Sequence, residues 1–325
     1  KRRLYRFRTF GDDAAIFLLD ARSFRDEPIV EIVGLPSRQE YREYLEASFD
    51  RSRTILGDAQ IADLLADLQL AQDEGIIWKF VLVPQPIQNL GPILASDRFE
   101  GYAHERSVLL DFINTNGIEN VVFIAADIHG TVTNEVVFQR SPNARVIETG
   151  SFEITTGSVA YAAPFGPTVF QFAPGFLGNL YESLRPERQN IFVTRVGNVL
   201  GRLYDFPRLG LGGLRSAARL LVGSYVVVNT YGCTECEIHA GTQVLTVTTY
   251  GVPWYDQEDI AIDPDWVLAL EPAVVGRFEV DPWHDRYVGP CGAFDGAAPA
   301  SPIGVWAHRR RRHKRRRLAT VGRGD

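Results

Sequence analysis

The pair Asp127 and His129 is the most suggestive group of reactive side chains in this sequence. It follows directly on the apolar run 121–126, which predicts a short buried strand. Residues i and i+2 of an extended chain point the same way, so both side chains can reach one small site beyond the strand. A carboxylate oxygen and an imidazole nitrogen suit iron, zinc, manganese or calcium. The alternative is a loop aspartate that caps backbone amides beside an incidental histidine, because two ligands do not make a metal site.

Alternating apolar runs and helical repeats predict a largely parallel sheet in the first half of the chain. Residues 14–19 and 77–83 are short apolar runs typical of buried strands. Between them, Asp58 can cap a helix whose apolar residues recur with helical spacing over residues 61–68. A second helix is predicted at residues 102–114, before the strand that delivers Asp127 and His129. Strands that alternate with crossover helices indicate an α/β fold.

The second half of the chain has a different pattern. The Val-, Thr- and Tyr-rich stretches that predict antiparallel strands are residues 132–138, 145–155 and 224–250. Residues 175–203 predict one or two helices between them. We expect one mixed α/β domain over residues 1–282 and an irregular, disordered tail over residues 283–325.

Charge is distributed unevenly along the chain. The net charge is −6, and the run RRRRHKRRR at residues 309–317 carries eight positive charges, so the rest of the chain sums to −14. An acidic body argues against general nucleic-acid binding, which needs Lys and Arg on the docking face. The basic run could itself bind nucleic acid or act in targeting, or it could be a solvated extension. No apolar run reaches 18 residues, so no membrane span is predicted.

Cys233 and Cys236 have the spacing of a zinc-binding or redox pair. No second such pair and no cluster of histidines completes a zinc site. On a strand, residues i and i+3 face opposite sides, so the two thiols are not expected to share a metal. They are interpreted as packing residues.

Six short segments carry a family resemblance. They are LDARSFRD at 19–26, RTILGDAQ at 53–60, Trp78-Lys79, Asp97 with Gly101-Tyr102 and Arg106, ADIH at 126–129, and FEITTGS at 152–158. In this order they resemble the PhoD-like family of alkaline phosphatases and phosphodiesterases, a branch of the calcineurin-like metallophosphoesterases. The resemblance covers residues 4–280.

The resemblance implies a metal-dependent phosphoric ester hydrolase with a layered α/β/β/α sandwich of mixed sheets. It implies a two-metal centre, typically iron plus calcium, with other divalent metals as alternatives. His129 would serve the iron position and Asp127 the second, calcium-type position. The metals of such a centre polarise phosphoryl oxygens and activate water. The substrate would be a phosphate ester, and the family suggests a periplasmic or extracellular location.

Arg22 and Arg106 are the candidate substrate-binding residues. A guanidinium can pair with a phosphate through two parallel hydrogen bonds. The alternative is that these arginines and Arg25 hold acidic partners within the fold. Asp20, Asp26 and Asp97 are available for that role.

The sequence departs from the family pattern at its start. The family places most of its metal ligands in an N-terminal half, and those motifs do not occur here. The chain is therefore expected to be the second half of the catalytic domain, with the missing N-terminal half as its partner and no activity as an isolated fragment. The alternative function is a non-catalytic remnant or binding module that keeps the fold without a complete metal centre.

Overall fold

The computed structural model describes residues 4–159, 163–171, 175–203, 214 and 218–282. The chain divides into two units, Lys1–Val288 and Gly289–Asp325. The second unit, with the basic run, lies outside the described residues, as does the whole of 283–325. The predicted division into a domain and a disordered tail therefore stays a prediction.

Strands and helices alternate along the first half and strands dominate the second. The strands are β1 (Arg6–Phe10), β2 (Ala14–Leu18), β3 (Trp78–Val83), β4 (Val121–Ala125), β5 (Thr131–Phe138), β6 (Ile147–Thr155), β7 (Ala218–Gly223), β8 (Val226–Val227), β9 (Thr230–Ile238), β10 (Leu245–Pro253) and β11 (Ala273–Val280). The helices are α1 (Arg38–Ser48), α2 (Asp58–Asp73), α3 (Ala103–Thr115), α4 (Phe165–Gln171), α5 (Gly175–Glu182), α6 (Pro186–Leu203), α7 (Gln257–Ile262) and α8 (Pro264–Leu268), and a short 3-10 helix spans Phe99–Tyr102.

The larger sheet has seven strands in the order β1-β2-β3-β4-β6-β5-β8. Strands β2, β3, β4 and β6 are parallel neighbours, while β1, β5 and β8 pair antiparallel. Helices α1 and α2 connect β2 to β3, and α3 connects β3 to β4, as parallel neighbours require. The carboxyl ends of the four parallel strands consequently lie at one edge of the sheet, with β4 in the middle.

Helices α2 and α3 cover one face of this sheet. Gly57, with φ 80, is the N-cap of α2, so the expected cap at Asp58 is the first helical residue instead. Glycine suits this position because the backbone is left-handed and an added Cβ would lie 3.0 Å from the Phe24 side chain. The helical spacing of apolar residues gives α2 one buried stripe. The buried side chains of this layer include Leu64, Leu68, Leu109, Leu110, Val81 and Phe123.

The opposite face of the larger sheet packs on a second, four-stranded sheet with the order β7-β11-β10-β9. The side chains between the sheets include Trp78, Phe80, Val122, Phe152, Val247 and Phe278. The Trp78 indole N–H donates to the Gln243 carbonyl at 2.9 Å, and the Gln243 side chain donates to Asp13 at 2.9 Å. Parallel strands buried on both faces explain why β4 is a continuous apolar run and why β3 is apolar except for Lys79.

The predicted fold class, mixed α/β with two sheets and crossover helices, is confirmed. Along β9, Cys233, Glu235 and Glu237 on the outer face of the second sheet are exposed, and no helix covers them in the described residues. The outer helical layer of the expected four-layer sandwich is therefore not found over β9 in that part of the chain. Every described helix is too short or too polar to cross a membrane.

Candidate active site

Asp127 and His129 lie just beyond the carboxyl end of β4. The strand ends at Ala125, and both residues have left-handed backbone, with φ 75 at Asp127 and φ 56 at His129. Such conformations are uncommon outside glycine, and they often occur at functional sites. The two side chains are therefore placed by a tight turn, and the extended i, i+2 geometry expected from the sequence is wrong. Burial raises the pKa of the Asp127 carboxyl group, and His129 lies close enough to oppose part of that rise.

Arg22 reaches the same place from the carboxyl end of β2. One of its guanidinium nitrogens lies 3.5 Å from Asp127 Oδ1, and another lies 3.3 Å from Asp97 Oδ2. Arg25 pairs with the same Asp97 oxygen at 3.3 Å. The alternative in which Asp97 holds these arginines is thus confirmed for Arg22 and Arg25. The Arg22 side chain still keeps 49% of its surface exposed, so it is also open to a ligand.

The turn that delivers Arg22 is fixed by Asp20 and Gln60. Asp20 Oδ1 accepts from the backbone N–H groups of Arg22 and Ser23, both at 3.0 Å. Gln60 on α2 accepts from the Asp20 N–H and donates to the Asp20 carbonyl, each at 2.8 Å. Two of the family-like segments, 19–26 and 53–60, therefore meet here to set the direction of Arg22.

Gln85 completes the edge at the end of β3. It is fully buried, and with its amide oriented to satisfy both of its atoms, the oxygen accepts from Arg22 nitrogens at 3.0 to 3.2 Å. The ends of β2, β3 and β4 thus each contribute one polar residue, Arg22, Gln85 and Asp127. The sequence reasoning missed Gln85. The sequence feature that could have identified it is a polar residue between two prolines directly after a buried strand.

The charges around Asp127 oppose one another. Partial burial raises the pKa of its carboxyl group, and the nearby Asp97 carboxylate raises it further. Arg22, Arg98 and His129 act in the other direction and hold part of that rise back. Burial is therefore the main reason why the pKa of Asp127 lies above its usual value.

Arg106 is in the core and not at this edge. It is 7% exposed, and its guanidinium donates to the carbonyls of Ile87 at 2.5 Å and Val137 at 2.7 Å. Burial lowers its pKa to about 10. This placement does not favour the predicted contact with substrate, because the donors of Arg106 already serve main-chain carbonyls. The family-like segments gave no signal that its partners would be backbone groups.

The sequence profile of PhoD-like phosphatases matches residues 1–183, more than half of the chain. The chain belongs to the PhoD-like phosphatase family. Alkaline phosphatase D of Bacillus subtilis (strain 168) is 28% identical over 137 residues, which are 39% of this chain and 21% of that protein. The solved structure of PhoD is 23% identical with a TM-score of 0.38, and the match covers 49% of this chain and 29% of that one. The chain thus spans about a fifth of the curated relative that it matches.

PhoD-like phosphatases are metal-dependent in general, and a metal centre needs several protein donors. In the described part of the chain, no group of three or more His, Cys, Asp or Glu side chains could hold a metal ion. Asp127 and His129 offer one oxygen and one nitrogen, and Arg22 places a positive charge 3.5 Å from that oxygen. Zinc-type sites take three or four protein ligands, so these residues do not fit a metal pair by themselves.

Proposed function

We propose that this chain forms part of a metal-dependent phosphoric ester hydrolase acting on phosphomonoesters or phosphodiesters. The observation that carries the proposal is that the PhoD-like match, residues 1–183, contains the whole cluster of Arg22, Gln85, Asp127 and His129. The cluster lies beyond the carboxyl ends of parallel strands, where open α/β sheets bind their ligands.

In this proposal His129 and Asp127 are two of the donors of a two-metal centre of iron and calcium. Imidazole nitrogen suits iron, and carboxylate oxygen suits calcium. His129 takes the iron position and Asp127 the second position. The remaining donors come from a segment that the described residues do not include, because two donors are too few for two metals. That segment is the N-terminal half that the family resemblance implies.

Arg22 is the proposed phosphate-binding residue of the cluster. Its guanidinium is half exposed and already lies between two carboxylates, at 3.3 Å from Asp97 and 3.5 Å from Asp127. A phosphate oxygen offers the same acceptor chemistry as those carboxylates. An incoming phosphate ester can therefore take over hydrogen bonds that Arg22 makes to acidic side chains. We place the enzyme in the periplasm or outside the cell, which the family resemblance alone supports.

A second candidate function is a binding module without catalysis. Two observations favour it: the described residues contain no group of three metal donors, and the Asp127 carboxylate pairs with Arg22 at 3.5 Å. In that case the cluster would bind a phosphate group through Arg22 and would not hydrolyse it.

Hydrolysis assays separate the two functions. The isolated chain, supplied with iron and calcium, should hydrolyse p-nitrophenyl phosphate and its bis-ester only at the background rate. Co-expression with the segment encoded upstream in the same reading frame should give metal-dependent turnover. His129→Ala or Asp127→Ala should then reduce that turnover by orders of magnitude. Arg140→Ala, which removes an exposed ion pair with Asp111, is the matched control. Phosphate binding without turnover in the co-expressed protein would favour the binding module.

A further inference from the structure

The connection between β3 and the 3-10 helix, residues 84–98, is held by buried charged side chains. Each of them is more than nine-tenths buried and contacts main-chain groups of this loop. They are Glu153 on β6, Arg106 on α3, Glu100 on the 3-10 helix and Arg98 at the end of the loop itself. Buried charges are costly unless they are hydrogen-bonded, so this concentration around one loop indicates that its position matters.

Glu153 makes the most complete set of these contacts. One carboxylate oxygen accepts from the backbone N–H groups of Ile87 at 2.5 Å and Gln88 at 3.2 Å. The other accepts from the Gln88 side-chain amide at 2.7 Å. That amide also donates to the Val132 carbonyl at 3.1 Å, and Asn134 donates to its oxygen. Glu153 therefore ties the loop to both β6 and β5.

Arg106 holds the same point of the loop from the other side. Its Nε donates to the carbonyl of Ile87, whose N–H group donates to Glu153. Its second contact is the Val137 carbonyl on β5. Residue Ile87 is thus fixed through both its amide and its carbonyl group by two oppositely charged side chains.

The two ends of this loop form the wall of the active site. Gln85 at its start and Asp97 near its end both contact the guanidinium of Arg22. Arg22 in turn lies 3.5 Å from Asp127. A shift of the loop at Ile87 and Gln88 would therefore move the two side chains of the loop that orient the Arg22 guanidinium.

We infer that Glu153 is a positioning residue, which fixes loop 84–98 through Ile87 and Gln88 and thereby sets the orientation of Arg22 at the cluster. The value of this orientation for phosphate binding rests on the proposed function. The coupling between Glu153 and Arg22 does not, and it can be measured in the absence of any substrate.

The coupling depends on the proton of Glu153. Protonation replaces charge-assisted hydrogen bonds by weaker neutral ones, and it adds an O–H donor that faces the N–H donors of the loop. Burial raises the pKa of Glu153 to about 7, although the hydrogen bonds from the loop lower it. Among the described residues, the charged groups that act on it are Glu100, which raises its pKa further, and Arg106. The loop and β5 face it with the uncharged amides of Gln88 and Asn134. The loop hydrogen bonds lower the pKa of Glu153, so opening of the loop around a still-buried carboxyl group becomes easier as the pH falls through about 7. Global unfolding, which hydrates this carboxyl group, becomes harder as the pH falls.

Two measurements on the ligand-free protein test this between about pH 5.5 and 8.5. They are amide hydrogen exchange at Ile87 and Gln88, corrected for intrinsic exchange rates, and the NMR resonance of the Arg22 Nε–H group. In the wild type we expect exchange protection to rise about tenfold with a midpoint near 7, since hydrogen bonds to charged groups are worth more than neutral ones. The Arg22 resonance should shift with the same midpoint. Glu153→Gln should lack both transitions.

Glu105→Gln is the matched control. Glu105 is a buried carboxylate that accepts from the N–H groups of Ile55 at 2.8 Å and Leu56 at 3.1 Å, on a different loop. This variant should lose stability and keep both transitions. If the wild type lacks the two transitions, the inference is overturned, and this result does not require Glu153→Gln to fold. Loss of the transitions in Glu105→Gln would also overturn it. Intact transitions in a protein that binds no phosphate would support the positioning role and count against the proposed function.

Discussion

Arg22 and Asp127 form an ion pair across the end of β3, with 3.5 Å between a guanidinium nitrogen and the carboxylate oxygen. They come from the carboxyl ends of β2 and β4, which are not neighbours in the sheet. Gln85, which follows β3, contacts the same guanidinium. The pair therefore bridges three parallel strands and leaves half of the Arg22 side chain exposed at the sheet edge.

Replacing Arg22 by Ala should weaken binding of inorganic phosphate about tenfold or more, because a charge-assisted hydrogen-bond partner is lost. Stability should fall by about 1–3 kcal/mol, because the buried amide oxygen of Gln85 loses the guanidinium from which it accepts. Titration calorimetry with phosphate is the measurement. Arg140→Ala, which breaks the exposed pair with Asp111, should leave phosphate affinity unchanged. Equal affinities for the wild type and Arg22→Ala would remove Arg22 from the proposed site.

Chelation should not destabilise the isolated chain. A metal that binds only the folded state raises its stability, and Asp127 and His129 alone cannot bind one tightly. We therefore expect the melting temperature to stay within about one degree when EDTA is added to protein prepared with iron and calcium. A larger fall would reveal metal donors beyond these two residues.

Replacing Lys79 by Met should destabilise the protein by about 1–3 kcal/mol. The Lys79 ammonium is buried and donates to the carbonyls of Ile76 at 2.8 Å and Glu119 at 3.0 Å. Burial lowers its pKa to about 8, from 10.5. Between these values the unfolded chain binds the proton and the folded one does not, so stability rises with pH. Urea unfolding should show this rise in the wild type, and an equal rise in Lys79→Met would assign it to other groups.

The contribution of Glu153 to the free energy of unfolding of the wild type should fall as the pH rises from about 4.5 to 7. In this range Glu153, with its pKa raised to about 7 from 4.5, holds its proton in the folded state and loses it in the unfolded state. The folded state then binds more protons, so each increase in pH favours unfolding. The difference between the unfolding free energies of the wild type and Glu153→Gln, measured against pH, isolates this contribution of Glu153. A difference that does not change with pH would contradict the assignment.

The two cysteines of β9 should differ sharply in reactivity. Cys233 is exposed, whereas Cys236 packs toward the core and burial raises its pKa to about 11. At pH 8 about one in a thousand Cys236 side chains is a thiolate. Iodoacetamide should therefore label Cys233 first, and mass mapping of the peptides would separate it from Cys291. Equal labelling of both β9 thiols would contradict their opposite orientation on the strand.

Much of the parallel sheet could be predicted from the sequence because its strands are buried on both faces. The runs at 14–19, 77–83 and 121–126 agree with β2, β3 and β4 to within about a residue at each end. Helix α1 was not predicted because its sequence RQEYREYLEAS has few apolar residues. The capping box between Ser37 and Glu40 was a signal in the sequence that the prediction missed.

The site was predictable only in part. The position of Asp127 and His129 follows from the strand before them, and the pairing of Arg22 with Asp97 was one of two alternatives. The turn geometry at Asp127 could not be foreseen, because left-handed backbone depends on contacts made after folding. The backbone partners of Arg106 were also invisible, since main-chain carbonyls have no sequence signature.

The packing of the two sheets also bears on how this protein is synthesised. Trp78 is covered by Gln243 and its neighbours, which leave the ribosome long after the strands of the larger sheet. At typical rates of translation, the apolar face of the larger sheet stays exposed for on the order of ten seconds before the second sheet is synthesised. During that interval it is a surface for chaperones or for aggregation. Slowing translation between β6 and β9 should therefore reduce the yield of native protein, whereas the same delay after β11 should not.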